Sequence, residues 1–210
     1  MRFKIKSILV FIIIFFCVNA QAAVTADTPA QLYFPTVNTI AGNLNGKISI
    51  VEFFDYRCIY CRRIPGILEE LIKDNPDVRV VFRDYPLLGP QSTVAAEAAL
   101  SAQQQGKYLQ FHNALFAINK PLDIDIIKQA AAALGLNMPT LEKDNLSYLT
   151  QQQLRENAQF AQALGVDGIP TFFVALTPMS TQHDTIKAYK LMSPTLTDLQ
   201  NVINLLKEPN

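Results

Sequence analysis

The stretch Ile48-Ser49-Ile50-Val51-Glu52-Phe53-Phe54-Asp55-Tyr56-Arg57-Cys58-Ile59-Tyr60-Cys61 carries the fold in outline. Its first seven residues are nearly unbroken in apolar and branched side chains, the pattern of a strand buried on both faces. Side chains alternate across a strand, so Glu52 shares a face with Ile48, Ile50 and Phe54. A carboxylate thus stands where a hydrophobe is expected. Downstream, Ile64, Ile67, Leu68, Leu71 and Ile72 follow helical spacing, with Pro65 expected to kink the helix. Cys61, three residues before Ile64, falls beside the buried stripe, while Cys58 sits at the helix start. Val78 to Phe82 reads as a second strand, completing a β-α-β unit whose crossover is expected to be right-handed.

Beyond Pro86 the pattern changes. Up to Gly165 alanine, leucine and glutamine dominate, with Gly106, Pro121 and Pro139 as punctuation, and about four helices are expected. Strand character returns at Thr171 to Leu176 and at Ile186 to Leu191. Ser193-Pro194 then offers a cap and first position for a last helix, with Leu199, Val202, Ile203 and Leu206 on one face.

At the other end, Arg2, Lys4 and Lys6 precede an apolar run from Ile8 to Val18 and the small-residue pattern Ala20-Gln21-Ala22. This is the form of a secretory signal peptide over residues 1–22, cleaved after Ala22. The run is shorter than the ~20 residues a membrane span needs. Phe16 before Cys17 does not suit a lipoprotein signal, so Cys17 is expected to leave with the peptide. Cleavage leaves residues 23–210, with 15 basic against 18 acidic residues and a net charge of −3. That balance gives no basis for nucleic-acid binding.

Two cysteines then remain, Cys58 and Cys61, three residues apart. A bridge closing so small a loop removes little entropy from the unfolded chain, so the pair points to chemistry rather than to a staple. A nucleophilic thiol must be a thiolate, and a helix start favours negative charge through its unpaired N–H groups. The second thiol can resolve a mixed disulfide formed at the first. A haem motif would need histidine where Arg62 stands. A zinc site would need further ligands, yet the histidines, His112 and His183, lie far off at no finger spacing, so neither metal nor cofactor is expected. Two inert core cysteines are the plain alternative; the order strand, pair, helix favours redox chemistry. Glu52, if buried, should have a raised pKa and serve as proton acceptor for Cys61; if on a sheet edge, it would lie in water.

Glu52 to Cys61, together with Gly165-Val166-Asp167-Gly168-Ile169-Pro170-Thr171-Phe172, resembles the DsbA-like family of periplasmic thiol:disulfide oxidoreductases. Phe82 to Pro90, Gly106 to Tyr108 and Phe111 to Asn113 resemble that family's helical region. The resemblance implies an α/β thioredoxin-like fold, a central mixed sheet flanked by helices, interrupted by an all-helical insertion over about 87–164. It implies Pro170 in cis opposite the cysteines, and Ile169, Pro170 and Tyr60 as peptide-contacting positions. Glu52 matches the family's buried glutamate. Tyr60 stands where the best-known oxidases carry histidine, and a neutral phenol should stabilise the Cys58 thiolate less. Substrates would be unfolded or reduced exported proteins, and the electron acceptor a quinone-linked membrane protein. A disulfide isomerase or reductase, or a redox-inactive chaperone or adhesin, are the competing functions. Ala23 to Lys47 lacks a heptad pattern and is broken by Pro29, Pro35, Gly42 and Gly46, so a monomer is expected, which suits an oxidase.

Overall fold

The computed structural model describes residues 24–181 and 185–208; the signal peptide expected over residues 1–22, and Cys17 within it, lie outside them. A six-stranded sheet runs in the order β1-β6-β5-β3-β4-β2. Its strands are β1 (Val24–Pro29), β2 (Ile40–Gly42), β3 (Ile48–Phe54), β4 (Val78–Asp84), β5 (Thr171–Leu176) and β6 (Thr185–Met192). β3 pairs parallel with β4 and antiparallel with β5, and the other pairings are antiparallel, so the sheet is mixed. The apolar run of β3 is buried along its whole length because it lies in the middle, with strands on both sides and packed side chains on both faces. Glu52 is therefore not at an edge: it lies opposite Phe82 on one neighbour and Phe172 on the other.

Helix α1 (Ile64–Asp74) lays Ile64, Leu68 and Leu71 on the face of the sheet that carries Ile50, Phe54 and Phe172, beside Leu199, Val202 and Ile203 of α7 (Leu196–Lys207). Pro65 does not kink this helix. It occupies the first turn, where its missing N–H has no intrahelical acceptor to lose, and a short 3-10 turn at Cys61–Arg63 precedes it. Regular helix thus begins six residues after Cys58, not at it. The last helix is capped by Thr195 rather than Ser193: the Thr195 side chain accepts from the Asp198 N–H while the Asp198 carboxylate accepts from the Thr195 N–H. Ser193 instead adopts a left-handed turn, φ 45°, and donates its N–H to the Pro170 carbonyl.

Between β4 and β5 there are five α-helices, not four: α2 (Pro90–Ala102), α3 (Tyr108–Ala117), α4 (Ile124–Ala133), α5 (Met138–Asn145) and α6 (Tyr148–Ala163). The extra one is α5, eight mostly polar residues started by an Asn137 side chain that accepts from the Thr140 N–H. α6 ends at Gly165 with φ 59°, where the Val166 N–H returns to the Ala161 carbonyl. Such a left-handed exit suits glycine and turns the chain toward Ile169.

The opposite face of the sheet, with Val51, Phe53 and Phe173, is covered by Leu32 and Tyr33 and by Ala161 of α6. Arg83 holds this layer. Its fully buried guanidinium donates to the carbonyls of Leu32 at 2.7 Å and Gln31 at 3.0 Å and to Asn157 Oδ1 at 3.1 Å, and it lies 5.2 Å over the Phe160 ring. Replacing it by an apolar residue leaves the buried Leu32 carbonyl unpaired, at a cost of about 1–3 kcal/mol, and removes one charge-assisted hydrogen bond each from the Gln31 carbonyl and Asn157 Oδ1, which keep Phe34 N–H and Gln153 Nε2 as donors. Arg83→Met is therefore expected to lower unfolding free energy by about 3 kcal/mol or more in urea titrations, against less than about 0.5 kcal/mol for Arg155→Met on the exposed side of α6. Equal losses for the two variants would contradict this account of the layer.

Candidate active site

The backbone leaves β3 at Phe54 and turns tightly: the Cys58 N–H donates to the Asp55 carbonyl at 3.0 Å. Asp55 is itself buried, its carboxylate accepting from the backbone N–H groups of Arg57 (2.7 Å), Leu87 (2.8 Å) and Leu88 (2.9 Å). This carboxylate ties the loop before the cysteines to the loop after β4. Cys58 and Cys61 are both free thiols. Cys58 retains 6% exposure and Cys61 none.

The Cys61 N–H points at Cys58 Sγ, 3.4 Å away. Hydrogen bonds from Cys61 and from the backbone of Tyr60 outweigh the cost of burial and lower the Cys58 pKa to about 6. Help for the thiolate thus comes from a tight turn rather than from a regular helix terminus. Cys61 shifts the other way: burial, the hydrogen bond with Cys58 and the nearby Glu52 all hold it protonated. The two thiols are chemically unlike, one ionised near neutrality and just reaching the surface, the other neutral and fully enclosed.

From across the sheet, β5 brings the loop before Thr171 to this turn. Ile169-Pro170 is a cis peptide, and the Ile169 carbonyl lies 3.6 Å from Cys58 Sγ, accepting from the thiol. Tyr60, between the cysteines, is 62% exposed, and Ile59 beside it 73%. Cys58, Cys61, Tyr60, Ile169 and Pro170 therefore meet at one end of the sheet, with Glu52 beneath them on β3.

Glu52 is 1% exposed, and its Oε1 has no hydrogen-bond partner among the described residues. Burial pushes its pKa well up, and the carboxylates of Asp84 and the thiolate of Cys58 add to the shift. Both effects favour its protonated form. Asp84, at the end of β4 on the same face, is a second buried acid, raised by burial to about 7 even though Tyr108 donates to its Oδ2 at 2.8 Å. The Tyr56 hydroxyl reaches His112 Nδ1 at 3.2 Å, and burial lowers the His112 pKa to about 3, so this imidazole is neutral. Phe54, Phe82 and Phe116 pack around His112 with ring centroids 4.4–5.0 Å away. The sequence offered one signal for this network, the carboxylate of Asp84 closing an apolar strand; Tyr56, Tyr108 and His112 come together only through packing of α3 on the sheet.

A family model described as the DSBA-like thioredoxin domain matches residues 49–189. The chain belongs to that family. Its members are thiol:disulfide oxidoreductases, and the site described above lies within the matched residues. A crystal structure of a thioredoxin-like oxidoreductase from Silicibacter pomeroyi DSS-3 is similar at 30% identity and a TM-score of 0.74, covering 86% of this chain and 98% of that one. A periplasmic thioredoxin-like protein from Salmonella enterica serovar Typhimurium is similar at 26% identity and a TM-score of 0.69, covering 84% and 93%. Among curated proteins, the Na(+)/H(+) antiporter NhaA 1 of Mycobacterium sp. (strain KMS) is 30% identical over 145 residues, 67% of this chain. The chain spans about a quarter of the length of such relatives. Among the described residues no helix is long and apolar enough to cross a membrane.

The Cys58 pKa lies below the ordinary thiol value, so the thiolate stabilises the reduced protein above the ordinary range, and the contribution is lost as pH falls through about 6. Alkylation of the reduced protein by iodoacetamide should accordingly modify one thiol, Cys58, with a rate midpoint near pH 6. In denaturant the midpoint should return to ~8.5. A folded-state midpoint above 8, or faster modification of Cys61, would reverse the assignment of the two thiols.

Proposed function

We propose that this protein donates disulfide bonds to reduced exported proteins in the periplasm, with Cys58 as the exchanging sulfur and Cys61 as its resolving partner. The observation that carries this reading is the stabilised Cys58 thiolate beside a fully buried, protonated Cys61. Whatever stabilises the reduced dithiol makes the disulfide form a stronger oxidant. A thiolate with a low pKa is also the better leaving group.

The steps balance as follows. A substrate thiolate attacks Cys58 Sγ of the Cys58–Cys61 disulfide; a new S–S bond forms to Cys58, the old one breaks, and the electron pair leaves on Cys61. That sulfur is buried and holds a proton strongly, and the proton comes from the neutral carboxyl of Glu52. A second substrate thiolate attacks the substrate sulfur of the mixed disulfide and Cys58 departs as thiolate. The substrate has lost two electrons and the dithiol has gained them. A quinone-linked membrane protein is the proposed acceptor that takes them on. The exposed Tyr60 and the carbonyl of Ile169 supply surface for an extended peptide at Cys58, with Pro170 shaping that loop. Residues 24–29 and 40–42 pair into the chain's own sheet, which supports action as a monomer.

Oxidised protein should restore activity to reduced, unfolded ribonuclease, and its dithiol should equilibrate with glutathione buffers at a potential near that of glutathione or above. A potential near thioredoxin's, or a stable oligomer that unscrambles ribonuclease faster than it oxidises it, would move the assignment to reductase or isomerase. Cys58→Ser is expected to abolish oxidation and Cys61→Ser to accumulate mixed disulfide. Glu52→Gln should leave the alkylation midpoint of Cys58 near 6 while slowing mixed-disulfide formation by tenfold or more, with a flattened dependence on pH; unchanged rates across the pH series would make Glu52 a structural residue.

A further inference from the structure

Beside the cysteine turn the surface opens into a cavity of about 350 Å³ walled by Arg57, Arg62 and Lys120, with Tyr56 and Asn119 between them. It adjoins the reacting sulfur: Arg57 directly precedes Cys58, and the Arg62 N–H donates to the Cys58 carbonyl at 3.3 Å. Three cations thus face one hollow at the site. None of its lining residues is acidic.

Nor is this charge neutralised from nearby. The Arg57 guanidinium donates to the Leu88 carbonyl at 2.7 Å and that of Arg62 to Asn119 Oδ1 at 3.3 Å, both uncharged acceptors. Among the described residues the ion pairs are Lys128 with Glu142 and Lys187 with Asp27, and neither reaches this cavity. The two carboxylates closest in sequence are engaged elsewhere. Asp55 is buried and occupied by three backbone N–H groups, and Asp123 caps α4 by accepting from the Ile126 N–H at 2.9 Å.

Two guanidinium forks, each held by a neutral acceptor, and an exposed ammonium together form a receptor for carboxylate oxygens. We propose that this cavity is a carboxylate-binding subsite, which selects substrate peptides carrying Asp or Glu within a few residues of the reacting cysteine. The subsite rests on the reading of Cys58 as the sulfur that exchanges with substrate, and it gives that reaction a substrate class. An extended peptide advances about 3.3 Å per residue, so a side chain one to three positions from a cysteine bound at Cys58 reaches a hollow walled by its sequence neighbours. The cations have a second effect, since positive charge near Cys58 favours its thiolate. That effect is the same for every substrate and cancels in a ratio of rates.

The test compares two dithiol peptides identical except that two Glu residues beside the first cysteine are replaced by Gln. Exposed charge pairs are individually weak, so with two Glu residues kcat/KM for the Glu peptide should exceed that for the Gln peptide about three- to tenfold at low salt. The ratio should fall toward one at 0.5 M salt, where screening is nearly complete over a few ångströms. Lys120→Glu, a change in the loop before α4 and away from the cysteines, should abolish or invert the preference. Equal rates for the two peptides at low salt, with both oxidised, would overturn the subsite and leave disulfide donation standing. Oxidation of neither would overturn disulfide donation. In that event the same peptides with Ser in place of Cys decide the subsite by fluorescence anisotropy: tighter binding of the Glu form, lost in Lys120→Glu, upholds it, and equal binding removes it.

Discussion

The pairing of β5 against β3 is the constraint on which the site depends. Phe53 lies opposite Thr171, and this register sets the Ile169 carbonyl against Cys58 Sγ although 111 residues separate them. Neither element could do this alone. The cysteine turn is local, closed by the Asp55 carbonyl and the Cys61 N–H, but the surface it presents to a peptide is completed by a loop that arrives after five helices. A slip of one residue between these strands would exchange the two faces of β5 and carry Phe172 away from Glu52.

Burial of acid groups is the second organising fact. Glu52 and Asp84 lie on one face of adjacent strands, both desolvated, each raising the pKa of the other or of a thiol close by. Two anions there would be costly, so at neutral pH the pair shares less than two charges. Protein stability is spent at this point on a proton store under the reacting sulfurs. The neutral His112 and the hydroxyls of Tyr56 and Tyr108 continue the polar string into α3 and tie the helical region to the sheet at the site.

Much of this was legible in the sequence where hydrophobic pattern and architecture coincide. The central strands β3 and β4 and the returning strands β5 and β6 are apolar or alternating runs and fall where such runs were expected. β1 and β2 escaped notice because an edge strand needs little apolar content: Val24–Pro29 is half polar and ends in proline, and β2 has three residues. α5 was missed for a related reason, having one fully buried side chain, Leu141. At the site, Glu52 and the two cysteines could be singled out by type and spacing, and Ile169-Pro170 through the family resemblance. Arg57, Arg62 and Lys120 could not be assembled into one cavity, since the third approaches from the loop between α3 and α4. Asp55 opposes the thiolate as a nearby negative charge, and the structure adds a role that its position in sequence does not show: its carboxylate serves the backbone of two loops.

Both margins of the sheet are built from one short stretch. Val24–Pro29 joins β6 at one side, residues 30–33 cross the face under the grip of Arg83, and Ile40–Gly42 joins β4 at the other. The earliest of these segments in order of synthesis takes its partner from residues 185–190, among the latest. Such a sheet cannot be finished in the order in which the chain emerges; β1 must wait for nearly every other element to exist. A growing chain of this kind keeps β1 without a partner until its last strand, β6, has been made.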